Sequence, residues 1–127
     1  MAAGISSYCA GKLLEATCKA TAFSVTTVYI QLHTATPGAA GTTAIATETR
    51  RMACTFAAAS AGSIASNADV VWTSIAGSQT ATFFTAWDAS TVGNFLFSGS
   101  VTGNAYNAGD TFTITSGTLV ASLTLAS

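Results

Sequence analysis

The sequence predicts a mainly β protein, a single β-sandwich of seven to eight strands with a Greek-key or jelly-roll-like order and one N-terminal α-helix. From Val25 onward, short β-branched and aromatic runs alternate with Gly, Asn, Asp and Ser, as in all-β domains. A helical pattern is confined to residues 3–20. A chain of 127 residues predicts one domain over residues 1–127.

The opening segment, residues 3–20, is predicted to form an amphipathic helix. Ser6 or Ser7 can cap its start, and Lys19 suits its carboxyl end. One apolar stripe is formed by Ile5, Cys9, Leu13 and Ala16. The helix is therefore expected to dock through this stripe on the β domain.

The β region is predicted to hold strands at residues 25–33, 51–57, 69–73, 80–87, 94–101, 111–115 and 118–125. Strict alternation at 111–115 places Phe112 and Ile114 inward. The same alternation on the last strand predicts that four side chains point inward: Leu119, Ala121, Leu123 and Leu125. One face of each strand is expected to be core.

Two aperiodic segments separate these strands. Residues 34–49 contain the only proline and two glycines, so a long surface loop is predicted there, of a kind that often makes contacts. Residues 57–68 are predicted to cross between sheets without a strand of their own. Tighter turns are expected near Gly77, Gly93, Gly109 and Gly117.

Charge is scarce, at 7% of residues against about 25% in an average soluble domain. Four Lys and Arg against five Asp and Glu cannot make the basic face of a nucleic-acid binder. No secretory signal and no apolar run of about 20 residues is recognised, so export and a membrane span are not expected. A small, uncharged surface of this kind is expected to meet other proteins.

The residues that could carry chemistry form no recognised motif. Cys9, Cys18 and Cys54 lack metal or redox spacing, so reduced, buried thiols are predicted, with no metal and no cofactor. His33 is the only histidine and is predicted to lie at a strand end with its ring bonded to the following loop. With no nucleophile elbow, phosphate loop or paired carboxylates, an enzyme is not predicted.

Other polar and aromatic residues have structural explanations. Asp88 and Asp110 are predicted to cap turns, and Arg50 and Arg51 either begin a strand in solvent or form a salt bridge within or between copies. Six aromatic residues are predicted to be core and interface anchors, with a sugar-binding platform as the alternative: Trp72, Phe83, Phe84, Trp87, Phe95 and Phe97.

An ordered set of short motifs resembles one known family. The motifs are residues 28–38 (VYIQLHTATPG), 49–51 (TRR), 65–68 (ASNA), 86–89 (AWDA), 93–99 (GNFLFSG), 107–111 (NAGDT) and 117–119 (GTL). They are similar to those of small tailed-bacteriophage virion structural proteins, often labelled tail fibre or minor structural protein. The resemblance implies a non-enzymatic structural protein of the virion, assembled in the host cytoplasm.

The leading functional hypothesis is a capsid decoration or minor capsid protein, whose partners are the major capsid protein and copies of itself. The alternative is a tail fibre or tail-tip module that contacts tail proteins or the host surface, and a third is a polymerising surface-layer or pilus-like subunit. Neither nucleic acid nor membrane is expected as a partner. The proposed assembly contacts are Tyr8, Lys12, Glu15, Thr36, Pro37, Arg50 and Arg51.

Overall fold

The computed structural model describes residues 4–123, 125 and 126 and contains one helix and eight strands in this part of the chain. The helix is α1 (Ser7–Cys18). The strands are β1 (Val28–His33), β2 (Met52–Cys54), β3 (Ser63–Ala65), β4 (Val70–Trp72), β5 (Gln79–Trp87), β6 (Phe95–Tyr106), β7 (Phe112–Ile114) and β8 (Val120–Ser122).

The strands form one sheet of four and two ribbons of two. The sheet has the order β2-β1-β5-β6, and the ribbons are β3–β8 and β4–β7. Every strand pairing is antiparallel. The mainly β, sandwich-like fold with an N-terminal helix that the sequence predicts is therefore confirmed.

The core lies between the four-stranded sheet and the two ribbons. Ile30 and Leu32 of β1 and Phe84 of β5 are almost completely buried. They form one apolar cluster with Trp72 of β4 and with Leu119, which directly precedes β8. The predicted inward positions Phe112 and Ile114 belong to the same cluster, because alternation along a strand sends every second side chain to one face.

The helix α1, at Ser7–Cys18, is shorter than the helix predicted over residues 3–20. Ser6 caps α1 by accepting a hydrogen bond from Cys9 N at 3.0 Å, and its own hydroxyl donates to Phe95 O. Cys9 is buried and Leu13 half-buried, whereas Ala16 is exposed. Ile5 precedes the helix and pairs with Phe97 as an isolated bridge, so the predicted stripe is only partly used.

Strand β1 is buried on both faces, which corrects the prediction of one core face for each strand. Gln31 and His33 point away from Ile30 and Leu32, yet they are buried as well. The 34–49 loop covers them, since Gln31 Nε2 donates to Thr49 O at 3.4 Å. The four residues from Ile30 to His33 are therefore buried on both faces of the strand, whereas Val28 and Tyr29 are half-buried.

Several boundary predictions are wrong, including the end of β6, which runs to Tyr106 instead of ending at 101. Residues 57–68 contain β3, which pairs with β8 and was missed because its small side chains show no apolar run. The last strand ends at Ser122 instead of extending to 125. Leu123 N still donates to Gly62 O at 2.8 Å, but the side chains of Leu123 and Leu125 are 56% and 60% exposed instead of pointing into the core.

Candidate functional site

The outer face of α1 carries three of the predicted contact residues. Lys12 Nζ lies 4.0 Å from Glu15 Oε1 and 5.8 Å from the centre of the Tyr8 ring. The Tyr8 ring packs edge-on against Phe23 at 6.3 Å. All three contact residues are half-exposed, so they form a polar and aromatic strip available to a neighbouring protein.

The 34–49 loop is fastened to the sheet by His33. Its Nδ1 lies 2.8 Å from Thr43 O, and a carbonyl only accepts, so Nδ1 carries the proton. Its Nε2 lies 2.9 Å from Thr85 Oγ1, whose hydroxyl donates to it. Trp87 Nε1 in turn donates to Thr85 Oγ1 at 2.7 Å. The prediction of a strand-end histidine bonded to the following loop is confirmed.

Burial determines the charge state of His33. The side chain has no solvent exposure, and burial lowers the pKa of the imidazole, although the hydrogen bond to Thr43 partly opposes this. Both ring nitrogens are already engaged with the neutral ring. Neither faces a carboxylate, so the histidine fastens the loop and has no partner for a catalytic triad.

Thr36 and Pro37 differ in their exposure. Thr36 is half-exposed. Pro37 is fully buried, and its carbonyl accepts from Thr43 N at 2.9 Å. The prediction of Pro37 as an assembly contact is therefore corrected, because the loop folds back on itself and turns this ring inward.

Arg50 forms an ion pair within the chain. Its Nε donates to Glu48 Oε2 at 2.9 Å and its Nη2 to Glu48 Oε1 at 2.7 Å. Backbone amides of Arg50 and Ala76 also donate to this carboxylate. These bonds, led by the one from the guanidinium, lower the pKa of Glu48 to about 2 against the opposing effect of burial. Of the open alternatives for Arg50, the intramolecular salt bridge is the one formed.

Arg51 holds the turn between β5 and β6. Its guanidinium stacks over Trp87, 4.0 Å from the ring centre. Its Nη1 donates to Ala89 O at 3.0 Å and to Val92 O at 2.6 Å. A planar guanidinium with several donors suits this combined stacking and bonding.

The same turn is closed by Asp88, as predicted. Asp88 Oδ1 accepts from Asn94 N at 2.7 Å, and Oδ2 accepts from Asn94 Nδ2 at 2.9 Å. Val92 at the tip has a φ of +56° and is 84% exposed. A β-branched residue seldom adopts this conformation. The hydrogen bonds that Arg51 and Asp88 make to this turn hold Val92 in it, with the apolar side chain exposed to solvent.

The aromatic residues lie mainly in the core. Trp72 and Phe84 are buried, Trp87 and Phe95 nearly so, and Phe83 and Phe97 half-buried. Trp87 packs 5.5 Å from Phe95, and Gly41 of the 34–49 loop lies against the Phe95 ring. The prediction of core anchors is confirmed, and neither tryptophan offers an exposed surface for a sugar.

The remaining candidate residues take structural positions. Asp69 accepts from Ser116 N and Asp110 from Asn107 N. Asp110 thus caps its turn as predicted, through a bond that runs back to Asn107. The prediction of buried thiols is correct for Cys9 and Cys54 but wrong for Cys18, which is exposed at the carboxyl end of α1. Among the described residues, no cluster of three His, Cys, Asp or Glu could hold a metal ion.

Sequence reasoning missed Glu48 and Thr85. Both are buried polar residues, and each joins elements distant in sequence: Glu48 contacts Ala76, and Thr85 contacts His33. A single glutamate in a Thr-rich loop carries no periodic signal. The one clue to Glu48 is an arginine two positions later.

The structure thus places the predicted contacts on separate surfaces. The strip of Tyr8, Lys12 and Glu15 lies on the helix, whereas Arg50 and Arg51 are engaged within the chain at the start of β2. None of the helices in the described part of the chain has the length and hydrophobicity needed to cross a bilayer.

Comparison with known proteins gives one family. A protein-family model described as Podophage GP4 fiber I protein gp80 matches residues 4–122. No curated protein matches the sequence.

Proposed function

Since this chain belongs to the podophage GP4 fiber I protein gp80 family, we propose that it serves as a tail-fibre module of a podophage-like particle. Membership confirms the resemblance to phage virion structural proteins. It makes the chain a phage fibre or structural protein. The family description supports the tail-fibre prediction better than the capsid-decoration prediction.

The observation that carries the proposal is the extent of the family match, which spans the helix and all eight strands. The polar side chains best suited to catalysis or ligand binding support a structural role instead. His33, Glu48 and Arg51 each bond to the chain's own backbone. We propose that the protein acts by binding its neighbours in the particle.

The contact we propose for the module is the helix strip of Tyr8, Lys12 and Glu15. It combines a ring, a cation and an anion within one face, a composition suited to the polar rim and aromatic anchor of a protein interface. The exposed side of the 34–49 loop, including Thr36, is the second proposed contact.

A capsid decoration protein remains the second candidate. The scarcity of charge, at 7% of residues, favours it, because an uncharged surface packs against repeated neighbours with little cost of desolvation. Both candidates place the chain in the virion and differ in the copy number that they require.

Quantitative mass spectrometry of purified particles tests the proposal through the ratio of this chain to the major capsid protein. A tail fibre requires copies in the range of a handful to a few dozen, set by tail symmetry. Hundreds of copies would favour capsid decoration. Complete absence from particles would contradict both candidates.

The proposed helix contact has its own test. Lys12→Glu reverses one charge in the strip, whereas Lys19→Glu makes the same change at the exposed end of α1. We expect Lys12→Glu to lower incorporation into particles while Lys19→Glu leaves it unchanged. Equal incorporation of both variants, with unchanged thermal stability, would remove the strip from the interface.

A further inference from the structure

The turn between β5 and β6, residues 88–94, presents an apolar side chain to solvent at its tip. Val92 is 84% exposed, more than any other large apolar residue of the described chain. It does not belong to the apolar core cluster or pack against it. The packing of its side chain therefore does not explain why a valine occupies this position.

The backbone conformation of Val92 is unfavourable for a valine. Its φ is +56°, in the left-handed region that β-branched residues seldom adopt and that Asn adopts more readily. Among the described residues with a positive φ other than glycine, Val92 is the one that is branched at Cβ. The remaining four are small: Ala20, Ala44, Ala61 and Ser74. Valine is thus held at the tip at a cost to folding.

Arg51 fixes the backbone on one side of the tip. Its Nη1 donates to Val92 O at 2.6 Å and to Ala89 O at 3.0 Å. The guanidinium is itself held in place, because it stacks over the Trp87 ring, whose centre lies 4.0 Å away. Arg51 therefore acts on the carbonyl of Val92 and leaves the valine side chain exposed.

The two ends of the turn are joined by Asp88 and Asn94. The carboxylate of Asp88 accepts from the backbone and side-chain amides of Asn94, and Asp88 N donates to Asn94 O at 3.2 Å. Gly93 has a φ of +74°, and a Cβ there would lie 2.6 Å from Asp88 Oδ1. The turn is thus closely packed and presents Val92 in one geometry before a partner arrives, which reduces the entropy lost on binding.

The chemistry of the tip favours a protein as its partner. A lipid surface is bound by larger apolar faces that also offer free basic side chains, whereas Arg51 is engaged within the turn. The ring on which a sugar could stack, Trp87, is covered by Arg51 and only 7% exposed. A single rigid apolar side chain instead fits a small apolar pocket in the surface of another protein.

We propose that Val92 is a contact residue that inserts into an apolar pocket on a neighbouring protein of the particle, and that Arg51 is its positioning residue. This inference deepens the proposed function by naming a third contact of the module and the kind of surface that receives it, and it rests on that function for its setting. It gives Arg51 a part in assembly that needs no direct contact with the partner.

Two measurements on Val92→Asn test the inference together. Since Asn adopts a positive φ more readily than valine, the purified variant should unfold at a higher urea concentration than the wild type. In particles assembled with the variant, its ratio to the major capsid protein should fall at least about tenfold, because an apolar anchor of this size is lost from the interface. A valine that served only the fold would not change these two readings in opposite directions.

Thr91→Asn is the matched control, because Thr91 is exposed in the same turn and is not among the residues with a positive φ. Its incorporation should equal that of the wild type. Arg51→Lys keeps the charge but loses the planar set of donors. It should lower incorporation by itself and cause no further loss in a chain that already carries Val92→Asn. Additive losses would overturn the positioning role of Arg51.

Three results would overturn the inference as a whole: incorporation of Val92→Asn at the wild-type level, equal losses in Val92→Asn and Thr91→Asn, or a lower urea midpoint in Val92→Asn. Binding of the purified chain to phosphatidylglycerol vesicles that is lost in Val92→Asn would identify a lipid surface as the partner instead. Circular dichroism of each variant verifies that it is folded.

The same experiment separates this inference from the proposed function. Absence of the wild-type chain from particles removes the proposed function and, with it, the partner that Val92 requires. A wild type that is present in tail-like copy number, together with undiminished incorporation of Val92→Asn, leaves the proposed function standing and removes only the contact at Val92.

Discussion

Glu48 joins two segments of the chain that are distant in sequence through one buried carboxylate. It is 2% exposed and accepts from the Arg50 guanidinium and from the backbone amides of Arg50 and Ala76. Arg50 Nη2 also donates to Thr73 O at 2.6 Å. The end of the 34–49 loop is thereby tied to the turn between β4 and β5.

Glu48→Gln is expected to lower the free energy of unfolding by about 2–3 kcal/mol at neutral pH, since Gln accepts fewer of these bonds and leaves Arg50 without its anion. Chemical denaturation measures the change. Glu15→Gln is the control, because Glu15 is an exposed partner of Lys12 at 4.0 Å and its loss should cost under about 0.5 kcal/mol. Similar losses in both variants would contradict the role assigned to Glu48.

The same carboxylate should make the free energy of unfolding depend on pH in the acid range, with a sign that follows from its pKa. Its pKa is about 2 in the folded chain against 4.5 ordinarily, so its stabilisation is complete above pH 4.5 and is lost as the pH falls toward 2. The difference in stability between the wild type and Glu48→Gln should therefore shrink over this range.

His33 is expected to make the protein less stable below about pH 6.5. The pKa of the buried imidazole is lowered from 6.5, so the unfolded chain binds a proton before the folded chain does and stability falls as the pH decreases. Protonation would also make Nε2 a donor toward Thr85 Oγ1, which already accepts from Trp87 Nε1.

Thermal unfolding at pH 7.5 and pH 5.5 measures this effect. Because His33 is the only histidine, His33→Gln should remove most of the stability difference between the two pH values, whatever it does to overall stability. An undiminished difference in the variant would show that another group titrates.

At the level of elements, the 34–49 loop behaves as part of the sandwich. Pro37, Ala46 and Glu48 are buried within it, and Gly41 packs on Phe95. Gly41 has a φ of +71°, and a Cβ there would lie 2.8 Å from the Phe95 ring. Glycine is therefore required by both conformation and space.

Gly41→Ala should destabilise the protein by about 2–4 kcal/mol, the sum of left-handed strain and overpacking. Gly109→Ala separates the two causes, because Gly109 has a φ of +91° and nothing within 4 Å of a Cβ. Its cost should be only about 1–2 kcal/mol. Equal costs in urea denaturation would mean that the contact between the loop and Phe95 contributes nothing.

The two layers share one apolar cluster, so the molecule as a whole is proposed to unfold as one domain. The cluster includes Ile30 and Phe84 from the sheet and Val70, Trp72 and Leu119 from the segments opposite. Neither ribbon has more than two strands, and an isolated pair of strands is only marginally stable in water.

The two tryptophans test this proposal, since Trp72 lies in β4 and Trp87 in β5. In Trp87→Phe the remaining tryptophan reports on the ribbons, and in Trp72→Phe it reports on the sheet. Within each variant, the fluorescence and circular dichroism midpoints in urea should coincide. Separate midpoints would divide the chain into two cooperative units.

Much of the architecture follows from local sequence alone. The mainly β class, the Ser6 cap, the inward positions of Phe112 and Ile114, and the roles of His33 and Asp88 could all be predicted. These features depend mainly on neighbours within about ten residues along the chain, such as Thr43 for His33, where side-chain periodicity and capping act directly.

Only the tertiary structure decided the rest. The pairing of β3 with β8, the inward turn of Pro37 and the contact of Glu48 with Ala76 join residues far apart in sequence. Leu123 and Leu125 likewise are exposed instead of lying in the core as predicted, because no segment of the described chain covers them fully. Local alternation specifies which side chains share a face, but long-range packing determines whether that face is covered and by which segment.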